Sequence, residues 1–171
     1  MYSLNVPVPP EVAALASDLA RDLPGARSRA RGEHTLVLKR LTGDDTTADG
    51  YARLEARARD VLRGAPAPAA RITGVDRFDE AASGPSPVVY LAVESPGLRT
   101  LHARLVEAFD PVDGVEGDDY VPHVTVARGG SPDVVERACN ADVDPVEWTV
   151  SQLQFYDAER GQPVSTLALP T

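Results

Sequence analysis

The chain is poor in cysteine, in lysine and in long apolar runs. Each shortage excludes certain classes of protein. A single cysteine, Cys139, allows no disulfide within the chain, suits a reducing compartment and is expected to pack rather than react. No stretch reaches the ~20 apolar residues that a membrane-spanning helix needs, and the first residues lack the basic and apolar segments of a secretory signal. We therefore expect a cytoplasmic protein without membrane contact.

Positive charge is scarce as well. The 17 basic residues include a single lysine, Lys39, and stand against 26 acidic residues, which leaves a formal net charge of −9. Such a composition is typical of a halophilic protein from a high-salt cytoplasm, where salt screens the self-repulsion of the charge. An acidic surface normally disfavours a nucleic-acid partner, but an acidity that serves adaptation to salt says little about the substrate.

Length and composition predict one folded domain, residues 1–171, that acts as a monomer without an obligatory protein partner. Periodicity and turn residues predict an α+β order of strand, helix, strand, helix and hairpin, followed by helix, strand, helix and hairpin. The expected strands are 1–8, 34–41, 71–78, 88–94, 121–128, 147–156 and 163–169, and the expected helices are 10–23, 51–63, 96–109 and 132–141. Thr46 and Thr47 can cap the second helix.

Two of the expected strands begin with a histidine, His34 in HTLVLKR and His123 in HVTVAR. The repeated order of elements suggests an internal duplication that would make these strands equivalent. Two imidazoles suffice for metal-free phosphodiester chemistry, because one takes a proton as neutral base while the other gives one as imidazolium. Thr125 lies two residues after His123 on the same face of its strand, where its hydroxyl can hold a phosphoryl oxygen.

These segments resemble the two-histidine (2H) phosphoesterases, which include the 2'-5' RNA ligases and cyclic nucleotide phosphodiesterases. The resemblance rests on PHVTVAR and EHTLVLKRL, with support from SLNVPVPPEV, GLRTLHARL and WTVSQLQFYDAE, and covers nearly the whole chain in order of elements. It implies two pseudo-symmetric lobes with antiparallel sheets around a central cleft. It also implies a metal-independent enzyme without a cofactor that acts on 2',3'-cyclic phosphate ends or 2'-5' linkages of RNA or nucleotides, more as hydrolase than as ligase.

The resemblance assigns catalytic roles to His34, His123 and Thr125, with the two histidines facing each other as general acid and base. The first half departs from the pattern, since Leu36 stands where the family has serine or threonine, and Thr35 points the other way in a regular strand. One missing donor of this kind costs about 10²–10³ in rate. The alternative is therefore a catalytically weakened module that binds a nucleotide or an RNA end.

Several further residues have candidate roles beside simpler explanations. Arg128, Lys39 and Tyr120 are candidate substrate contacts, the two cations for phosphate and the tyrosine for base stacking. His102 falls beside the apolar stripe of a helix, where a surface or boundary position is expected. A metal-dependent hydrolase built on both strand histidines and Asp119 has no support from ligand spacing, and no metal is expected.

Overall fold

The fold is α+β, as the sequence predicts, and combines helices with two antiparallel sheets. The computed structural model describes residues 1–30, 33–43 and 48–171. The helices there are α1 (Pro10–Arg21), α2 (Ala48–Val61), α3 (Pro96–Ala108) and α4 (Pro132–Cys139). The strands there are β1 (Tyr2–Pro7), β2 (Arg27–Ser28), β3 (Thr35–Leu41), β4 (Ala69–Phe78), β5 (Val88–Glu94), β6 (His123–Arg128), β7 (Glu147–Thr149), β8 (Gln152–Asp157) and β9 (Gln162–Ala168). The predicted capping residues Thr46 and Thr47 lie outside the described residues.

The helices begin where the sequence offers a start signal and bury one stripe. Proline opens α1, α3 and α4, where its missing N–H costs nothing. Ser95 caps α3, because its Oγ accepts the Leu98 N–H at 3.1 Å. On α1 the buried side chains are spaced by helical turns; they are Val12, Ala16 and Leu19. These stripes pack on the sheets and form a single continuous core.

The two sheets are built in the same way. Their strand orders are β3-β1-β8-β9 and β2-β6-β5-β4-β7. In each sheet a strand leads through a helix to its own antiparallel neighbour: β1 through α1 to β3, and β5 through α3 to β6. The strands β3 and β6, which carry the two predicted histidine motifs, therefore occupy equivalent places in the two sheets.

The predicted strand at 147–156 is in fact two strands in different sheets. β7 pairs with β4, whereas β8 pairs with β1 and β9. The chain crosses between the sheets at Val150, which is buried and donates its N–H to the carbonyl of Pro68 at 2.8 Å. The alternation changes phase at this crossing, since the inward-facing positions are Trp148 and Val150 before it and Leu153 and Phe155 after it. The predicted hairpin of β4 and β5 is confirmed.

His102 lies in the core, not at the surface as predicted, and ties α3 to β3. Its Nδ1–H donates to the carbonyl of Leu38 at 2.7 Å, and its Nε2 accepts the N–H of Gly117 at 2.9 Å. The ring stacks on Tyr120 with centroids 3.8 Å apart. Helical periodicity could not identify these partners, because they come from a strand and a loop that are distant in sequence. Together they fix the 110–121 loop against β3.

Candidate functional site

A cleft of about 480 Å³ opens between β3 and β6. Its wall on the β6 side carries His123, Thr125 and Arg128, and its wall on the β3 side carries Val37 and Arg40. The other lining residues come from neighbouring loops and strand ends; they are Arg29, Phe78, Glu80, Ala81, Ala82, Ser83, Val88, Asp113, Gly114, Val115, Asp119, Tyr120 and Val121. Three of the sequence-predicted site residues thus meet on one wall.

His123 presents a defined face to the cleft. Its Nδ1 lies 2.7 Å from the carbonyl oxygen of Val121, which can only accept, so the proton of the neutral ring sits on Nδ1 and Nε2 keeps its lone pair. The ring packs edge-on against Phe78 and tilted against Tyr90. Tyr90 is itself buried and packs against the imidazole of His123.

The surroundings of His123 favour its neutral form. Burial lowers the pKa of His123, and the guanidinium groups of Arg40, Arg128 and Arg29 lower it further, against the opposing effect of the Val121 carbonyl. An anion that enters among these cations would reverse the balance and favour the imidazolium. The site can therefore take up a proton together with an anionic ligand.

Thr125 and Arg128 complete the β6 wall. Thr125 lines the cleft two residues after His123, as strand alternation predicts, and Arg128 ends the same strand. The Nη1 of Arg128 donates to the carbonyl of Ser83 at 2.7 Å, which anchors one edge of the guanidinium. Burial lowers the pKa of Arg128, and so do the neighbouring charges of Arg29 and Arg40. The predicted positions of Thr125 and Arg128 in the cleft are found.

The β3 wall does not carry the predicted histidine. The sequence motifs align His34 with His123, but the pairing of the two strands shifts that alignment by one residue. In β3, Asn5 pairs with Val37 and Leu4 with Lys39, so the strand has a bulge at Leu38. In β6 the pairing partners are Thr125 and Ala127, with a bulge at Val126. If the bulges are superposed, Val37 is equivalent to Thr125, and Arg40 to Arg128. Thr35 is then the equivalent of His123.

The first half therefore has Thr35 and Val37 where the second half has His123 and Thr125. Thr35 donates its hydroxyl to the carbonyl of Val6 at 3.0 Å. Val37 is half-buried and puts a methyl surface into the cleft. Leu36 is not the residue that replaces the hydroxyl of the first half, as the sequence suggested, because it is fully buried in the core and does not line the cleft.

His34 falls on the opposite side of the strand from Val37 and does not line the cleft. Its side chain is 5% exposed, and burial, followed by the nearby charge of Arg29, lowers its pKa. Within the described part of the chain neither ring nitrogen has a hydrogen-bond partner. The structure thus does not bring His34 to face His123. The sequence does contain a signal for the correct alignment of the two strands, because both strands have an arginine near their end. The residue five positions before Arg128 is His123, and the residue five positions before Arg40 is Thr35, not His34.

Lys39 and Tyr120 are engaged elsewhere, in contrast to the prediction. Lys39 is fully buried, because it lies on the core side of the bulge, and its Nζ lies 2.6 Å from Oε2 of Glu116. Tyr120 borders the cleft, but its ring stacks on His102 and its hydroxyl donates to the carbonyl of Val37 at 3.1 Å. Neither side chain is available for the phosphate or base contact expected of it.

Replacing His34 by leucine is expected to raise the free energy of unfolding by about 1–3 kcal/mol, since it removes a buried polar ring without partners. Chemical unfolding at pH 7 measures this. His102→Leu is the matched control: it breaks one buried and one partly buried hydrogen bond and should lower stability. A loss of stability in His34→Leu comparable to that control would show that His34 has partners the geometry does not provide.

The comparison with protein families decides where the chain belongs. A model of the 2'-5' RNA ligase superfamily matches residues 8–162. The chain belongs to the 2'-5' RNA ligase superfamily. This agrees with the resemblance to the 2H phosphoesterases on the strand motifs. No curated protein matches the chain.

Solved structures with the same fold extend over the whole chain. The protein TT0787 of Thermus thermophilus is 20% identical, with a TM-score of 0.65 over 98% of this chain and 97% of its own. E. coli LigT complexed with ATP is 19% identical, with a TM-score of 0.63 over 99% and 97% of the two chains. E. coli LigT complexed with 3'-AMP is also 19% identical, with a TM-score of 0.58 over 99% and 98%. At these identities the likeness shows the fold.

Neither a membrane-spanning helix nor a metal cluster occurs among the described residues. No helix among them has the length and apolar character needed to cross a membrane. Over the same ranges, no three histidine, cysteine, aspartate or glutamate side chains cluster in a way that could hold a metal ion.

Proposed function

We propose that the cleft binds the terminal phosphate of a nucleotide or RNA end, a 2',3'-cyclic phosphate or a 2'-5' linkage, with His123 at its centre. The observation that carries this is the concentration of charge: the guanidiniums of Arg29, Arg40 and Arg128 line the same cleft as His123 in a chain whose net charge is −9. The Thr125 hydroxyl and the Arg128 guanidinium are the donors for the phosphoryl oxygens. E. coli LigT, a structural neighbour, is complexed with ATP and with 3'-AMP, which supports a nucleotide as the ligand.

We further propose that binding dominates and that hydrolysis is slow. His123 can perform one proton transfer, as a neutral base on water through Nε2. On β3, however, Thr35 and Val37 occupy the positions equivalent to His123 and Thr125, and of these two Val37 lines the cleft. A positioned acid or base contributes about 10²–10⁴-fold to a rate, and an oxyanion donor about 10²–10³-fold. The weakened module is thus favoured over the reaction in which His34 and His123 act as a pair. Any residual turnover is proposed to be metal-independent and to survive a chelator.

The test is the pH dependence of binding for adenosine 2',3'-cyclic phosphate, measured by calorimetry in high salt. The bound phosphodiester favours the imidazolium and so raises the pKa of His123, which burial lowers in the free protein. Affinity should therefore rise as the pH falls from 8 to 5, with the uptake of one proton, whereas the diester keeps a constant charge. His123→Gln should bind without this slope. An unchanged slope in His123→Gln, or no binding by the wild type, would refute the proposal.

Turnover of the same ligand separates the two mechanisms. If a two-histidine reaction operated, His34→Ala and His123→Ala would each lower the rate by orders of magnitude. We expect His34→Ala to leave both the slow rate and the affinity within about threefold of the wild type. An equal loss in both variants would restore the paired mechanism.

A further inference from the structure

The β3 wall of the cleft carries a cation that the chemistry of the β6 wall does not use. Arg40 is the equivalent of Arg128 by register, since both lie five residues after the equivalent pair Thr35 and His123. Both arginines line the cleft. The β3 wall has thus lost the groups that move protons but holds a group that binds anions.

The charge of Arg40 is not cancelled by its neighbours. Glu116 is the carboxylate nearest to it, yet Lys39 already neutralises Glu116 through a buried contact of 2.6 Å. The Nη1 of Arg40 is 3.4 Å from Glu116 Oε1, and its side chain is 34% exposed toward the cleft. The three groups together carry one net positive charge, which is located on the guanidinium that reaches solvent.

A second guanidinium lines the same cleft. Arg29 lines the cleft, and its charge, like that of Arg40, lowers the pKa of both His123 and Arg128. Within the described residues, none of the cleft carboxylates forms an ion pair with either arginine; those carboxylates are Glu80, Asp113 and Asp119. Two guanidiniums that share a cleft and have no cleft carboxylate as partner, in a protein of net charge −9, make this part of the cleft a favourable place for an anion.

We propose that Arg40, with Arg29, forms a second phosphate subsite, so that the cleft recognises two successive phosphates of an RNA end. The terminal cyclic phosphate lies at His123, Thr125 and Arg128, and the 5'-phosphate of the same nucleotide lies at Arg40. This inference rests on the proposed function, because it places the first phosphate at His123. It makes the β3 wall a specificity-determining surface that selects an RNA end over a lone cyclic mononucleotide.

The experiment compares adenosine 2',3'-cyclic phosphate with the same molecule carrying a 5'-phosphate, so that the ligands differ by one group. A hydrogen bond between charged partners predicts that the 5'-phosphate strengthens binding to the wild type by about 10- to 100-fold. Arg40→Gln should lose this gain and bind the two ligands about equally, with a change in affinity for the cyclic phosphate alone that is smaller than the lost gain. Arg137→Gln, which removes an exposed arginine of α4 away from the cleft, is the control and should keep the gain.

Each outcome has a distinct meaning. A gain present in the wild type and Arg137→Gln but absent in Arg40→Gln supports the second subsite. Equal affinity of the wild type for both ligands overturns the subsite and leaves the proposed function standing. Equal loss of both ligands in Arg40→Gln overturns it as well, because Arg40 then serves the terminal phosphate. If the wild type binds neither ligand, the proposed function fails together with the subsite.

Discussion

Replacing Thr35 by histidine together with Val37 by threonine is expected to raise the hydrolysis of a nucleoside 2',3'-cyclic phosphate by about 10²- to 10⁴-fold. The register of β3 and β6 makes these two positions the equivalents of His123 and Thr125. The double variant would thus give the cleft a second imidazole and a second hydroxyl on the opposite wall. One histidine then serves as base and the other as acid, which the natural chain cannot offer with His123 alone.

The double substitution is expected to cost little stability. Thr35 is half-buried and loses one hydrogen bond, to the carbonyl of Val6, which costs about 1 kcal/mol. Val37 borders the open cleft, so the added hydroxyl remains accessible to water and to ligand. The bulge at Leu38 and the pairing with β1 involve only backbone groups and are retained.

The matched controls are the two single variants and the double variant in a His34→Leu background. We expect Thr35→His alone and Val37→Thr alone each to provide part of the gain, and the His34→Leu background to make no difference. A folded double variant that hydrolyses no faster than the wild type would show that the bulge-based equivalence of the strands is mistaken. Single-turnover kinetics with a chelator present gives the rates.

Most of the fold and half of the candidate site can be predicted from the sequence. The other half of the site cannot, for a physical reason. Strand and helix periods identify the elements, and in β6 the alternation correctly places His123, Thr125 and Arg128 together. In β3 the residue pattern allows two registers, and a difference of one residue moves every side chain to the other face. His34 and Thr35 are adjacent, so the register of β3 determines which of the two is equivalent to His123. That register is set by the pairing with β1.

Lys39 shows a second limit of the sequence. A lone lysine near the end of a strand suggests a solvated or ligand-binding cation, because lysine is almost never fully buried unless it is paired. Its partner, Glu116, is 77 residues away, in the acidic loop for which the sequence predicts no regular structure. The pairing depends on α3 and His102 holding that loop against β3. No local pattern contains that information.

Replacing Glu116 by glutamine is expected to lower the free energy of unfolding by about 3–5 kcal/mol, because it leaves the ammonium of Lys39 buried without a counter-charge. Lys39 has no exposed surface, and besides Glu116 its Nζ contacts only the carbonyl oxygens of Arg40 and Asp110 among the described residues. Denaturant unfolding at pH 7 measures the loss. The matched control is Glu136→Gln, which removes an exposed carboxylate of α4 and should change stability by less than about 0.5 kcal/mol.

The double variant Lys39→Met with Glu116→Gln tests whether the loss comes from the unpaired charge. The two oxygens of Glu116 accept one N–H group each, that of Arg40 on Oε1 at 2.8 Å and that of Val112 on Oε2 at 3.0 Å. The single oxygen of a glutamine keeps only one of these bonds, and this loss is common to the single and the double variant. With the buried cation gone, the double variant should be clearly more stable than Glu116→Gln alone, because only the hydrogen-bond loss remains. A double variant as unstable as the single one would assign the loss to packing of the 110–121 loop.

Acidification should remove the contribution of this ion pair in a defined order. Desolvation alone would raise the pKa of Glu116, but the hydrogen bonds from Lys39 and from the N–H groups of Arg40 and Val112 outweigh it and lower that pKa below 4.5. A carboxyl whose pKa is lowered in the folded state contributes its stability above its unfolded pKa and loses it as the pH falls through the folded value. The stability advantage of the wild type over Glu116→Gln should therefore be full at neutral pH, begin to shrink near pH 4.5 and vanish below the lowered pKa. An advantage that stays constant down to the lowest pH at which both proteins fold would show that the charge of Glu116 is not what stabilises β3.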